Sequence, residues 1–272
     1  MRFATCIGAM VVAMIVTATV GFGAGLTGDE ILQQVDDQGI HGSLVTRIRF
    51  DSSYADGSTT YNVFFGVSTN PIDGPQKSLM YFESPDNVTG MAFLSITPVE
   101  GDNRMWLYLP ALGSPKEIVA EQRKQSFAGS ALSYEDVGGH SFAEKYTAEL
   151  IREEVLQIES KSYDCYVLAM TARPDADADY ATVQAWVDKI DFQVLKREGY
   201  ASDGTLERTV EITTLGEFEG SIVAAELLGT NLADGSTTTV TFLKRTRPET
   251  SILDSVFDPA NLPSFNPATY GL

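Results

Sequence analysis

Apolar and polar residues alternate with a period of two along most of the chain. Leu44, Thr46, Ile48 and Phe50 fall on one side of the first such run, and Val45, Arg47 and Arg49 on the other. Tyr61, Val63, Phe65 and Val67 share a side in the next, as do Met80 and Phe82 in residues 78–83. Further runs lie at 89–97, 103–109, 163–171, 182–187, 192–200, 206–213, 222–228 and 237–243. Alternation of this kind marks half-buried strands. The breaks between runs carry turn chemistry, including Asp56-Gly57, Asp203-Gly204 and Asp234-Gly235, the dipeptide that tight hairpins favour. The pattern predicts a mainly β protein, a long antiparallel meander of about ten or eleven strands.

Helical signals are few. Thr27 with Glu30 forms a capping box, Ile31, Leu32 and Val35 make one apolar stripe, and Gly39 stops it. Residues 133–137 suit one helical turn before Gly138-Gly139. Residues 143–160 are ambiguous: Tyr146, Leu150, Ile151, Val155 and Ile158 fit a helical stripe, whereas a long strand pairing with 163–171 fits the context. The context decides for a strand. Residues 173–180 read as a loop, and 255–272 as a loose, proline-bearing tail with Val256-Phe257 as a docking pair. With no fixed-period repeat and no linker composition, residues 25–272 are expected to form one domain.

The stretch 88–137 is the most informative. In its second strand Met105, Leu107 and Leu109 face one way, and Trp106 and Tyr108 the other. Both faces are apolar, so both need cover from packed helices or from a ligand. For Trp106 and Tyr108 the cover would be the helix at 27–38, the turn at 133–137, or a ligand. Strand aromatics are ordinarily core. With so little helix to cover the concave side of a long meander, some can instead line a cavity for an apolar ligand. The candidates are Phe50, Tyr61, Phe65, Met80, Phe82, Phe93, Trp106, Tyr108, Leu132 and Trp186.

The amino terminus changes the picture by giving an address. Met1-Arg2 precedes an apolar run to Phe22, and Gly21, Gly23 and Ala24 supply small residues. This is the layout of a secretory signal peptide over residues 1–24, cut near residues 21–25. The alternative is an uncleaved anchor, since about 20 apolar residues span a bilayer. Cleavage removes Cys6 and leaves Cys165 alone in an apolar run, where a buried, inert thiol is expected. The net charge of −18 disfavours nucleic acid and anionic lipid headgroups as partners and keeps the chain soluble.

Candidate chemistry is sparse. There is no Gly-x-Ser-x-Gly elbow, no His-Glu-x-x-His and no phosphate-cradling glycine loop. His41 and His140 are the only histidines, so a serine hydrolase or a metal site ranks last. Asp175, Asp177 and Asp179 alternate like calcium ligands, but the EF-hand glutamate position falls on Trp186 and its glycine on Tyr180, so a solvated acidic loop is the reading. Arg47 and Arg49 are expected to face outward or to pair with carboxylates. No catalytic residue, metal or cofactor is expected.

Several segments resemble the outer-membrane lipoprotein-sorting protein family, related to the periplasmic lipoprotein carrier LolA. They are Gly90-Met-Ala-Phe-Leu94, Asn103-Arg-Met-Trp-Leu-Tyr-Leu-Pro-Ala-Leu112, Ser126-Phe-Ala-Gly-Ser130 and Ser133-Tyr-Glu-Asp136, with Cys165-Tyr-Val-Leu168, Trp186-Val-Asp188 and Lys196-Arg-Glu-Gly-Tyr200 later. Ala131-Leu132 depart from the Asp-aromatic pair of relatives. The resemblance implies an incomplete, strongly curved antiparallel β-barrel with a few short helices on its concave side. It implies a non-enzymatic, monomeric periplasmic carrier that shields a lipid or lipoprotein acyl chain in transit towards the outer membrane, working with an inner-membrane exporter or an outer-membrane receptor. The alternative on the same fold is an envelope-stress sensor or exporter-accessory binding protein.

Overall fold

The computed structural model describes residues 25–139 and 141–271. The signal segment with its cleavage point, Cys6 and His140 therefore lie outside the described residues. The chain opens with helix α1 (Gly28–Asp37). Its capping box is formed as expected: Glu30 N–H donates to Thr27 Oγ1 at 3.2 Å, and Thr27 N–H to Glu30 Oε2 at 2.7 Å.

A meander follows: β1 (Gly42–Ser53), β2 (Thr59–Asn70), β3 (Gln76–Ser84), β4 (Ala92–Thr97), β5 (Arg104–Tyr108) and β6 (Lys116–Glu117). Short helices α2 (Ala120–Arg123), α3 (Tyr134–Gly138) and α4 (Phe142–Lys145) interrupt it. It resumes with β7 (Tyr146–Ile158), β8 (Lys161–Ala172), β9 (Thr182–Asp188), β10 (Val194–Tyr200), β11 (Leu206–Phe218), β12 (Ser221–Asn231) and β13 (Ser236–Thr246). All belong to one sheet in the order β6-β5-β4-β3-β2-β1-β13-β12-β11-β10-β9-β8-β7. The pairings are antiparallel, and β1 against β13 joins the two meanders. β6 and β7 are the sheet's edges, so the barrel is not closed.

The sheet has 13 strands rather than the ten or eleven expected. β6 is two residues long, too short to carry any period. Residues 146–158 do form a strand, β7, against their helical propensity, because pairing with β8 along its length satisfies the backbone. α1 covers only the start of that strand, where Asp29 accepts from Ala148 N–H at 2.7 Å.

Alternation along the strands sorts the apolar residues of β1–β5 into two clusters. Phe50, Phe64, Met80, Phe82, Phe93 and Met105 form the inner one. Val45, Phe65, Val67, Leu79, Leu94 and Trp106 form the outer one. The outer face is covered by the carboxy-terminal tail, whose 3₁₀ turns Asp254–Phe257, Pro259–Ser264 and Pro267–Thr269 set Phe257, Leu262, Phe265 and Tyr270 against it. The tail is thus docked along its length, where a loose segment with one docking pair was expected. Its prolines hold extended and 3₁₀ backbone, which lets well-spaced side chains reach one sheet face without a regular helix. The cover of Trp106 and Tyr108 is this tail, and neither α1 nor the 133–137 turn.

The tail is held by apolar burial more than by its ion pair, Lys77 with Asp254, in which the Asp254 side chain is largely exposed. Phe257→Ala should therefore cost about 3 kcal/mol or more in urea unfolding, and Asp254→Ala less than about 1 kcal/mol. Equal effects would contradict this ranking.

Candidate functional site

Residues 118–138 form a strap across the inner face. Phe127 is fully buried at its centre. Its ring lies 5.1 Å from Phe93, 5.5 Å from Tyr134, 5.6 Å from Phe64, 5.9 Å from Phe82 and 6.1 Å from Phe50, centroid to centroid. A tight reversal puts it there. Ala128 and Gly129 both take positive φ (49° and 74°), and Phe127 N–H donates to Leu132 O at 2.7 Å. Ala131 N–H donates to Thr238 Oγ1 at 2.8 Å, and Leu132 packs over Gly229 of β12, where a Cβ would lie 2.5 Å from Leu132 Cδ2. The glycine is what lets the strap approach that strand so closely.

The far end of the strap is tied by charge. Ser133 and Asp136 cap α3 reciprocally: Asp136 N–H donates to Ser133 Oγ at 3.0 Å and Ser133 N–H to Asp136 Oδ2 at 2.7 Å. The same carboxylate meets Arg197 of β10 at 2.5 Å and Arg208 of β11 at 3.4 Å. Burial opposes charge on Asp136, but Arg197 and Arg208 outweigh it and hold its pKa below the ordinary carboxylate range. Next to it Glu135 pairs with Lys145, Arg123 meets Asp177 at 3.0 Å, and Ser133 Oγ donates to Asp179 at 3.2 Å. Burial raises the Asp179 pKa to about 7, and the nearby Glu135 and Asp136 carboxylates push the same way. One short segment thus touches β1–β4 through Phe127 and β10–β12 through Asp136 and Leu132. That is possible only because the sheet curls around it.

Between strap and sheet a cavity of about 190 Å³ remains, lined by Ile48, Phe50, Met80, Leu132, Leu227 and Phe242 among others. Two wider clefts open on either side of the last turn of α1. One of about 630 Å³ is lined by Asp36, His41, Ile72 and Val99, and one of about 650 Å³ by Val35, Ile40, Phe192 and Ile222.

Of the residues expected to line a cavity, Phe50, Met80 and Leu132 do so, and Phe82 and Phe93 belong to the same inner cluster around Phe127. Phe65, Trp106 and Tyr108 lie on the other face, beneath the tail. Strand alternation alone sends them there. Tyr61 is exposed, with the Arg49 guanidinium 4.8 Å from its ring. Trp186 sits in a separate cluster with Cys165, Val167 and Leu195, and Lys196 lies 4.5 Å from its ring. The residues that sequence reasoning missed are Phe127, Asp136, Arg197 and Arg208. Arginines within otherwise alternating strand runs, at 197 and 208, were the available signal.

Other expectations resolve simply. Arg47 pairs bidentately with Glu83 (2.7 and 2.9 Å) and Arg49 with Asp51 (2.7 Å). Asp175 is exposed, as expected of a solvated acidic loop, whereas Asp177 and Asp179 are partly buried and engaged with Arg123 and Ser133. Among the described residues no group of three His, Cys, Asp or Glu is placed to hold a metal, and no helix is long and apolar enough to cross a membrane. Among the described residues Cys165 is buried and unpaired, and burial and Asp188 push its thiol pKa up to about 11, which disfavours the reactive thiolate.

Known proteins with this architecture were found among solved structures. An outer membrane lipoprotein-sorting protein domain from Vibrio parahaemolyticus superposes with a TM-score of 0.77 at 25% identity, over 87% of this chain and 98% of that one. A DUF1329 family protein from Desulfovibrio piger gives 0.77 at 21% identity, over 86% and 97%. A LolA superfamily protein from Nitrosomonas europaea gives 0.65 at 20%, over 86% and 98%. A family model described as an uncharacterized protein matches residues 74–264. No curated protein matches the sequence.

The two neighbouring carboxylates predict opposite pH effects. Asp179 has a raised folded pKa, so the folded chain holds an extra proton between the ordinary carboxylate value and about 7, and stability falls as pH rises through that window. Asp136 has a depressed one, so its contribution is present above the ordinary carboxylate pKa and is lost as pH falls below it. In urea unfolding, Asp179→Asn should stabilise by about 1–3 kcal/mol at pH 8 and by much less at pH 5. Asp136→Asn should destabilise by about 3 kcal/mol or more at pH 8, because it strands two buried guanidinium groups. An Asp179→Asn effect independent of pH would contradict the assignment.

Proposed function

This chain belongs to the family whose model spans residues 74–264, and we propose, from its likeness in fold to LolA-like and outer-membrane lipoprotein-sorting proteins, that it is a periplasmic carrier for a lipid or lipoprotein acyl chain. The observation that carries the reading is the inner face itself. Over β1–β5 its aromatic and aliphatic side chains are covered by one irregular strap, with α1 confined to β7–β9, and a cavity remains beneath the strap.

Magnitudes define the state described. Pockets that enclose a drug-sized ligand run from about 300 to 1,000 Å³. The inner cavity, at about 190 Å³, is smaller, so this is a closed form in which Phe127, Leu132 and Tyr134 fill space that an acyl chain would take. Loading then means exchanging strap side chains for methylenes. Each buried methylene contributes about 0.8 kcal/mol, so roughly ten supply about 8 kcal/mol before the cost of moving the strap. An exporter or receptor that grips the strap would shift that balance and release the chain. The protein does no covalent chemistry in this reading; it transfers its cargo by burial and release.

Native mass spectrometry of protein purified from its own periplasm is the test. The expected result is a lipid adduct on part of the population, and uptake of a fluorescent fatty-acyl probe after delipidation. Phe127→Ala should increase probe binding while lowering stability by about 3–5 kcal/mol. A protein that carries no lipid and takes up no probe, with or without Phe127, would overturn the reading.

A further inference from the structure

Arginines in this acidic chain are nearly all spoken for. Among the described residues, each pairs with a carboxylate except Arg173 and Arg245. Arg173 lies on an exposed loop and donates to Ala143 O. Arg245 is different. It stands near the end of β13 opposite Thr46 of β1, on the inner face, and lines the cleft of about 650 Å³ beside α1. The rest of that wall is largely apolar: Val35, Ile40, Phe192, Val194, Ile222 and Val223.

The guanidinium is held in place without being neutralised. Its carbon lies 4.5 Å from the centroid of the Phe242 ring, and Nη2 donates to Ala224 O at 3.2 Å. Among the described residues, Nε and Nη1 have no hydrogen-bond acceptor. Burial alone acts on its pKa, lowering it, with no carboxylate near enough to raise it. Asp191, the carboxylate on the same wall, has Oδ1 turned onto Gln193 N–H at 3.2 Å. Phe242 also lines the inner cavity, so the ring on which Arg245 stacks faces the space beneath the strap.

An uncompensated, half-buried guanidinium at an apolar mouth is costly unless something completes it. Its planar fork, stacked on a ring with two edges free, suits the oxygens of a carboxylate or phosphate. We propose that this cleft is a headgroup site: it binds the anionic end, carboxylate or phosphate, of an amphiphile whose chain enters the barrel, with Arg245 as the group that recognises it. The proposal rests on the carrier reading and narrows the cargo to anionic amphiphiles. The chain's net negative charge then acts as a filter, since an anion is admitted where the local cation is exposed and repelled elsewhere.

Calorimetric titration of the delipidated protein with decanoate, decyl phosphate, decanol and inorganic phosphate tests it. Decanoate and decyl phosphate should bind at least about tenfold tighter than decanol, the range expected of a charge-assisted pair. Arg245→Gln should bring that ratio to about one, and Arg245→Lys should keep part of it. Thermal melts of both variants check that the fold is retained, and the ratio in the unmodified protein tests the proposal independently of either. A ratio near one in the unmodified protein, or an unchanged ratio in Arg245→Gln, overturns the headgroup site while leaving the carrier intact. Inorganic phosphate binding as tightly as decyl phosphate overturns the amphiphile assignment. No binding of any decyl probe overturns the carrier reading as well.

Discussion

The burial of Phe127 against the inner face is the contact on which the rest of the structure depends. A long curled sheet with two apolar faces must cover both. Over β1–β5 the inner face has no regular helix to do so, because α1 lies over β7–β9. A single ring, surrounded by Phe50, Phe64, Phe82, Phe93 and Tyr134, takes that role and fixes where the strap crosses. Once it is seated, Leu132 reaches Gly229 and Asp136 reaches Arg197 and Arg208, so the two meanders are tied through the space they enclose.

The two covers of the sheet are built differently, and the difference bears on function. The tail on the outer face is held by Phe257, Leu262, Phe265 and Tyr270, with one largely exposed ion pair. Such a cover has no reason to move. The inner strap combines one apolar plug with buried charges that act on one another: Arg197 and Arg208 hold the Asp136 pKa down, while burial and the neighbouring carboxylates raise that of Asp179. Buried ion pairs give a defined geometry at little net stability. A cover of that kind has a definite closed position without being deep in energy. This is what a carrier requires if cargo is to displace it and a partner is to restore it.

Much of the fold was legible in the sequence because period-two alternation and Asp-Gly turns are local signals. Strand β7 was readable only through its partner β8, and two-residue β6 not at all, since pairing rather than propensity makes both. The apolar faces of Met105 and Trp106 could be told apart, but not which face was concave. That depends on the curl of the whole sheet and on where the tail returns, which are long-range facts. Hence Phe50, Met80 and Leu132 line the cavity while Phe65, Trp106 and Tyr108, equally aromatic or apolar in pattern, lie under the tail. Asp136 and Arg197 fall in segments carrying the family resemblance, yet their pairing joins positions far apart in the chain, beyond any spacing rule.

The central claim is that an acyl chain occupies the inner, strap-covered side of the sheet. Photo-crosslinking with a diazirine-bearing fatty acid, mapped by peptide mass spectrometry, tests it most directly. The account predicts labels on the inner side, in peptides around Phe50, Met80, Leu132 and Phe242. Labels concentrated around Trp106, Phe257 and Tyr270, on the outer side, would contradict it.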